Sequence, residues 1–214
     1  MNTDEARAEV RRILAADLAD LVGDGRSLLP PVGRDDWALP RQDKDLLWRH
    51  GLPGPRDDGR YGISADYQRG KEPELEREGS AYYRVGVYAG VPHLAERGTG
   101  RVVHPVPARA EVHPQLAAHF PDTGTLAPVD SSVASWVELA WRWHRLVPVL
   151  AEQWARAGEA EVEALRAATG PQPPPDFYAG VRELGHEVLT AFRARDPAAI
   201  TSKKTFWWGV VLDL

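Results

Sequence analysis

The first fifty residues show a helical spacing of apolar positions in two segments. The longer segment predicts an amphipathic helix over residues 4–22, with Thr3 as its cap. A second, shorter helix is predicted over residues 41–50, where Gly51 supplies the left-handed end. Between them, residues 26–40 are rich in Pro and Gly and predict a connection. The apolar positions of the first helix are Val10, Ile13, Leu14 and Leu21.

The pattern then changes to the β-branched and aromatic runs that are typical of strands. Residues 80–91 give the strongest strand, and residues 101–106 give the next one after a Gly-Thr-Gly turn. Shorter strands are predicted over residues 61–67 and 125–129. The charged stretch 71–79 is predicted to be a surface loop.

Helical periodicity returns for the rest of the chain. The longest helical pattern begins after Ser132 and continues to Ala168, with Pro148 as a possible kink or end. Residues 170–175 predict a stiff Pro-rich linker, and residues 177–195 predict another helix. The pattern of residues 206–214 fits a strand or a helix.

This order of helices, then strands, then helices favours an α+β fold. We expect a central, mainly antiparallel sheet flanked by helices, with extra helices at the C-terminus. The chain has 214 residues, which fits one domain with an appendage. We interpret residues 1–155 as an α+β domain that includes the N-terminal helix, and residues 156–214 as a helical extension packed on it.

Composition excludes several classes of function. The chain has no cysteine, which rules out disulfides and thiolate metal sites. There are 26 basic and 31 acidic residues, a net charge of −5, which disfavours direct binding to nucleic acid. The N-terminus lacks a basic leader, and no run approaches the roughly 20 apolar residues of a membrane span. We therefore expect a cytoplasmic protein that does not bind membranes.

The chain contains no Walker A loop, no G-x-G-x-x-G, no G-x-S-x-G and no H-E-x-x-H motif. Three histidines, His104, His113 and His119, lie close in sequence and could hold zinc. Their spacing matches no metal motif, so we favour strand-edge and loop histidines. We expect no metal site and no cofactor.

A nucleophilic serine is the second catalytic hypothesis. Ser131 or Ser132 would act with His104 and a carboxylate such as Asp130. Asp-Ser-Ser before an apolar helical pattern is better explained as a helix cap, because a short side-chain oxygen accepts from a free amide of the first turn. We therefore expect no catalytic residues.

Aromatic side chains of the long helix form a third set of candidates. Stacking on bases is disfavoured because no surplus of basic residues accompanies them. Trp136 is predicted to lie in the core, whereas Trp141 and Trp143 are predicted at the partly exposed edges of the apolar stripe, which includes His144.

Four sequence motifs in a fixed order resemble one family. They are Gly-Leu-Pro at residues 51–53, Tyr-Tyr-Arg-Val-Gly at 82–86, Gly-Arg-Val-Val at 100–103 and Val-Asp-Ser-Ser-Val-Ala-Ser-Trp-Val at 129–137. Together they resemble the fourth branch of the SUKH superfamily of bacterial immunity proteins over about residues 40–155. In that pattern the long helix begins with Asn-Ser-Ser and an aromatic residue. Here Asp130 and Trp136 occupy those positions, with capping and packing roles that we expect to be kept.

The resemblance implies an α+β fold without catalysis. It also implies a protein that binds and neutralises a cognate polymorphic toxin, often a nuclease or a nucleic-acid deaminase. It assigns no partner-binding residues, because the surface that contacts the toxin varies between members. Two other functions remain open: a regulatory or scaffold module on the same fold, and an enzyme that uses His104. The sequence sets no oligomeric state.

An alternating acidic run is the remaining candidate for function. The simplest interpretation is a solvated loop, because a loop does not hold carboxylates at the fixed separation that catalysis needs. A second interpretation is an acidic segment that faces a basic toxin. The run consists of Glu72, Glu74, Glu76 and Glu78.

Overall fold

The computed structural model describes residues 1–58, 60, 62–167 and 175–212, which form helices and one antiparallel sheet. The helices are α1 Thr3–Ala15, α2 Leu18–Leu21, α3 Pro31–Asp36, α4 Arg41–Arg49, α5 Val133–Ala167, α6 Ala179–Arg195 and α7 Phe206–Leu212. The strands are β1 Ser64–Ala65, β2 Leu75–Arg77, β3 Ser80–Tyr88, β4 Val91–Glu96, β5 Val102–Val106 and β6 Thr125–Asp130. The α+β class with C-terminal helices is confirmed.

The sheet is a simple antiparallel meander extended at one edge. Its order is β1-β3-β4-β5-β6, and β2 also pairs with β3. Two-residue turns join β2 to β3 and β3 to β4, and both turns have positive φ at each residue. Such turns match the right-handed twist of paired strands. The strands therefore follow one another in space nearly as they do in sequence.

The helices pack on one face of the sheet. Neighbouring residues of a strand point to opposite faces, and Tyr83 belongs to the main core while Tyr82 does not. The main core includes Trp136 and Trp207, both fully buried. Tyr82 instead joins Leu94 and Val103 in a small apolar cluster of their own. The sheet thus separates a large helical core from a smaller apolar surface.

The predicted N-terminal helix differs from the structure at both ends. Asn2, and not Thr3, is the cap: its side chain accepts from the Glu5 amide at 2.9 Å, and the Glu5 side chain accepts from the Asn2 amide at 2.8 Å. This reciprocal capping box satisfies two free donors. The single helix over 4–22 is also wrong, because the extended conformation at Ala16 and Asp17 separates α1 from α2.

Residues 26–40, predicted as a connection, contain the short helix α3. Pro31 stands at its first turn, where the missing amide hydrogen costs nothing. The second predicted helix is confirmed as α4, and Gly51 ends it with a φ of 60°. A Cβ at Gly51 would lie 2.2 Å from the Ser27 carbonyl oxygen, so this close approach also requires glycine.

The strand predictions need several corrections. The predicted loop 71–79 contains the strand β2, whose residues alternate between half-buried and exposed, as in a strand with one covered face. The predicted strand 80–91 ends at Tyr88, because residues 89 and 90 form a turn. The sequence pattern does not predict β4, which lies between β3 and β5 in the sheet. The predicted strand over 61–67 shrinks to β1, and Tyr61 lies outside the described residues.

Helix α5 continues through Pro148 without ending. Proline has no amide hydrogen, so the carbonyl of His144, four residues earlier, loses its helical donor. Arg56 supplies the missing donor, because its guanidinium Nη1 donates to the His144 carbonyl oxygen at 2.8 Å. This side chain is 9% exposed and also pairs with Asp58. A distant arginine thus satisfies the carbonyl that proline leaves free.

The structure decides between the strand and the helix predicted for the C-terminal segment. Residues 206–212 are a helix and not a strand, and residues 213–214 lie outside the described part of the chain. Residues 168–174, with most of the predicted linker, also lie outside it. The proposed boundary between residues 155 and 156 falls within α5, and the division into a domain and an extension stays a prediction.

Candidate functional site

The structure does not group the three histidines of the zinc hypothesis. His104 lies on β5 and is half-buried, whereas His113 and His119 are exposed in the connection between β5 and β6. Within the described ranges, no group of three or more His, Asp or Glu residues could hold a metal ion. His104 lies instead beside His93 of the unpredicted strand β4, with 6.3 Å between ring centroids.

The start of α5 is a cluster of hydrogen bonds from three parts of the chain. The Ser132 hydroxyl accepts from the Ser135 amide at 3.1 Å, which confirms the predicted cap. Asp43 of α4 accepts from the Ala134 amide at 2.9 Å. Asp196, just after α6, accepts from the Ser131 amide at 2.7 Å. Because each acceptor comes from a different element, the helix end joins these elements together.

Asp130 does not cap the helix, which corrects the expectation from the Asn-Ser-Ser pattern. It is the last residue of β6, and its carboxylate accepts from the indole N–H of Trp207 at 3.1 Å. Burial raises the pKa of Asp130 well above its usual value, the Trp207 bond opposes this, and nearby Asp196 raises it further. The raised pKa of Asp130 favours the neutral form of the carboxyl, and the asparagine of the family pattern is also uncharged.

These bonds do not form the catalytic set of the nucleophilic-serine hypothesis. Ser132 is bonded within its own helix turn, and Asp130 is bonded to Trp207. His104 lies on the neighbouring strand β5, with its ring 5.8 Å from that of Phe206 between centroids. Each group is therefore engaged in a structural contact. The geometry supports the cap and brings together no nucleophile–base pair among these three residues.

Gly100 shows how closely Asp43 is enclosed. Its φ is 71°, in the left-handed region that favours glycine. A Cβ at this position would collide with the Oδ2 atom of Asp43. Burial raises the pKa of Asp43, and the backbone bonds from Ala134 and Val133 oppose the shift. The Gly-Arg-Val-Val motif and the start of α5 therefore meet at one carboxylate.

The three tryptophan candidates of α5 lie in the core. Trp136 is fully buried as predicted. Trp141 and Trp143 are 1% and 0% exposed, so their predicted exposure is wrong. Helices α1, α2, α4 and α6 all contact α5, which leaves these edges no access to water. His144 is half-buried, and burial with nearby Arg56 lowers its pKa to about 4.

The acidic run lies at the edge of the sheet and is exposed. Strand β2 pairs with β3, and the exposed side chains Glu74, Glu76 and Glu78 lie just before, within and just after β2. Glu74 pairs with Arg84 at 3.2 Å. Charges on an edge strand also prevent pairing with another chain, so this row has a structural use as well.

A cleft of about 360 Å³ opens between the β3–β4 turn and α7. Among the described residues, its walls are apolar or aromatic apart from two histidines. Phe206 stands edge-on to His93 at 4.8 Å between centroids and lies 5.8 Å from His104. The lining residues are Tyr88, Ala89, Val91, His93, His104, Phe206, Gly209 and Val210.

Both histidines of the cleft are uncharged at neutral pH. Burial, with a smaller effect of His104, lowers the pKa of His93 to about 3. Burial also lowers the pKa of His104, against the opposing effect of the Pro105 backbone. Among the described residues, neither ring nitrogen of His93 has a hydrogen-bond partner. Sequence reasoning missed His93 and Phe206, because they join His104 only once β4 and α7 are placed.

The protein therefore has an α+β fold with a surface cleft between the β3–β4 turn and α7, and with a hydrogen-bonded start of α5. Comparison with protein families matches the SUKH-4 immunity protein model over residues 13–213. The chain belongs to the SUKH-4 immunity protein family, which supports an immunity role. Comparisons with curated proteins and with solved structures give no significant match. None of the helices in the described ranges is both long and apolar enough to cross a membrane.

Proposed function

We propose that this protein is a cytoplasmic, non-catalytic immunity protein that binds one cognate toxin molecule and covers its active surface. The toxin acts on nucleic acid, as a nuclease or a deaminase. The observation that carries this proposal is the match to the SUKH-4 immunity family over nearly the whole chain.

The charge of the protein supports a partner that acts on nucleic acid. Such a partner presents a basic substrate groove, and a protein with a net charge of −5 is attracted to it. The row Glu74, Glu76 and Glu78 places exposed carboxylates along one sheet edge. This charge accelerates encounter more than it strengthens the final complex.

The local bonding of the polar candidates supports binding without catalysis. Ser132 and Asp43 accept hydrogen bonds from the first amides of α5, and Asp130 accepts one from the Trp207 indole. Each of these side chains therefore makes at least one hydrogen bond that supports the fold. A stoichiometric mechanism needs only a complementary surface.

Co-expression with the toxin encoded beside this gene tests the proposal. We expect restored growth and a stable one-to-one complex by light scattering after size exclusion. A toxin from an unrelated pair is the control and should be neither bound nor neutralised. Absence of both complex and rescue with the neighbouring toxin would contradict the proposal and favour a regulatory module.

A further inference from the structure

Two buried carboxyl groups lie together where β6 ends and α5 begins. Asp130 and Asp196 are each 2% exposed. Asp196 accepts through Oδ2 from the amide of Ser131, the residue directly after Asp130, at 2.7 Å. Burial raises the pKa of Asp130 well above its usual value, and the nearby carboxylate of Asp196 raises it further. The two carboxyl groups are therefore close neighbours inside the protein.

No basic side chain balances this pair. Among the described residues, neither Asp130 nor Asp196 takes part in an ion pair. Arg193 and Arg195, at the end of α6, donate instead to backbone carbonyl oxygens. The sequence outside the described ranges contains no lysine, arginine or histidine. Because two neighbouring carboxylates in a buried place cannot both ionise without a large cost, one of them keeps a proton.

The hydrogen bonds indicate which carboxyl holds that proton. Both oxygens of Asp196 accept from backbone amides, Oδ2 from Ser131 and Oδ1 from Ala198 at 3.0 Å, and such bonds favour a charged carboxylate. In Asp130, Oδ2 accepts from the Trp207 indole at 3.1 Å. The Oδ1 atom of Asp130 is buried and has no donor among the described residues. A proton on this oxygen gives it a hydrogen bond to make, with Asp196 as the acceptor.

We propose that Asp130 and Asp196 share one proton and form a pH-sensitive latch that holds α7 against the end of β6. Asp130 binds Trp207 of α7, and Asp196 begins the connection that leads to α7. Loss of the proton leaves two negative charges in the core, and separation of α7 lets water reach them. Phe206 and Val210 of α7 line one side of the surface cleft, so release of the helix opens that cleft. The latch does not depend on toxin binding.

Other titratable groups lie on the elements that surround the pair and α7. They are Asp43 of α4, His93 of β4, His104 of β5 and His186 of α6. The three histidines contact aromatic rings of α7, and Asp43 accepts from an amide of α5. Helix α7 itself has no charged side chain between Phe206 and Leu212. A comparison that changes only Asp130 therefore removes the effect of these groups.

Hydrogen exchange of the α7 amides tests the latch. The opening constants of Val210 and Val211 are measured from pH 5 to pH 9 in wild type and in Asp130→Asn, whose side-chain amide keeps a donor that cannot be lost. The closed latch retains a proton that the open form releases, so the closed form weakens as pH rises. The ratio of the wild-type constant to the variant constant should rise tenfold per pH unit, until the closed pair loses its proton.

Two comparisons make this experiment specific. Asp45→Asn is the matched control, because Asp45 is an exposed carboxylate of α4, and its opening constants should equal those of wild type at every pH. Amides of α1, such as that of Val10, report global unfolding, and Val210 should open more readily than they do. A ratio that does not change with pH would overturn the latch. Opening of Val210 only together with Val10 would overturn it as well.

Carbon NMR of labelled aspartate carboxyls gives a readout that does not require α7 to open. Asp130→Asn and Asp196→Asn assign the two signals, and thermal melting confirms that each variant is folded. At pH 7 we expect a protonated carboxyl at Asp130. Both signals should then move in one common step as pH rises, because coupled groups titrate as a pair. Two ionised carboxylates at pH 7, or signals that move at unrelated pH values, contradict the shared proton.

Discussion

The Asp130 carboxylate accepts a hydrogen bond from the Trp207 indole at 3.1 Å, across 77 residues of sequence. Both side chains are buried, so this bond ties the end of β6 to α7 inside the core. Helix α7 in turn supplies Phe206 to the wall of the cleft. The motif at the start of α5 therefore supports the position of the cleft as well as the helix end.

The substitution Asp130→Asn should stabilise the protein at neutral pH. Asp130 has a raised pKa in the folded protein, so above about pH 4 the unfolded chain releases a proton that the folded protein retains. This group therefore favours folding at low pH, and its contribution falls as pH rises toward the folded pKa. Asparagine keeps the acceptor for Trp207 and carries no charge.

Urea denaturation from pH 4 to pH 8 measures this effect. The Asp130→Asn variant should be more stable than wild type at pH 8, and its advantage should shrink toward pH 4. Trp207→Phe is the companion variant, since it removes the indole donor and leaves the carboxyl in place. A lower stability of Asp130→Asn at pH 8 would show that the carboxyl is ionised and favourably solvated.

His93 should make the protein sensitive to acid. Its pKa is about 3 in the folded protein against 6.5 for an ordinary histidine, so the unfolded chain takes up a proton first as pH falls. Stability from this group is complete above pH 6.5 and is lost between pH 6.5 and pH 3. His93→Leu should flatten this acid limb, measured by denaturation across the same range.

His104 and His144 also have lowered pKas and should leave a residual slope in the His93→Leu variant. Stability at pH 7 should be unchanged or higher, because leucine removes two buried nitrogens that have no hydrogen-bond partner among the described residues. An acid limb identical to that of wild type would mean that His93 is solvated in the folded protein.

Substitution of Asp43 should destabilise the protein far more than substitution of Asp45 on the same helix. Asp43→Ala removes the acceptor for the Ala134 amide and should cost about 0.5–2 kcal/mol, the usual range for a lost helix cap. Asp45→Ala is the control, since Asp45 is exposed and pairs only loosely with Arg41 at 3.7 Å. We expect the control to change the unfolding free energy by less than about 0.5 kcal/mol. Equal costs would contradict the capping role of Asp43.

Arg56 and Pro148 should be energetically coupled. Arg56→Ala leaves the His144 carbonyl without its donor and should cost about 1–2 kcal/mol. In a Pro148→Ala background the helix supplies its own amide to that carbonyl, so the same change should cost less. A double-mutant cycle of unfolding free energies measures the difference. A coupling energy of zero would show that Arg56 acts only through Asp58.

Features that depend on neighbours in sequence were predictable. Gly51 ends α4 because a left-handed residue closes a helix locally, and Ser132 caps α5 because its hydroxyl reaches an amide three residues ahead. The ordered motifs also indicated the family correctly. In each case the signal and the structure that it predicts lie within a few residues of each other.

Features that depend on distant contacts were not predictable. Pro92 interrupts the strand pattern of β4, and only pairing with β3 and β5 makes the segment a strand. Helix α5 passes Pro148 because Arg56, from another part of the chain, satisfies the freed carbonyl. The cleft brings together residues of β4, β5 and α7. The contacts of His93 with His104 and with Phe206 therefore could not be predicted from their spacing in the sequence.

Titration of toxin activity with this protein tests the central claim most directly. A fixed amount of purified toxin is mixed with increasing protein, and its activity on nucleic acid is measured after equilibration. Stoichiometric occlusion predicts a linear loss that reaches completion at one equivalent, with active toxin recovered after denaturation and separation. Complete inhibition by a small fraction of an equivalent, or full activity at excess protein, would contradict the account.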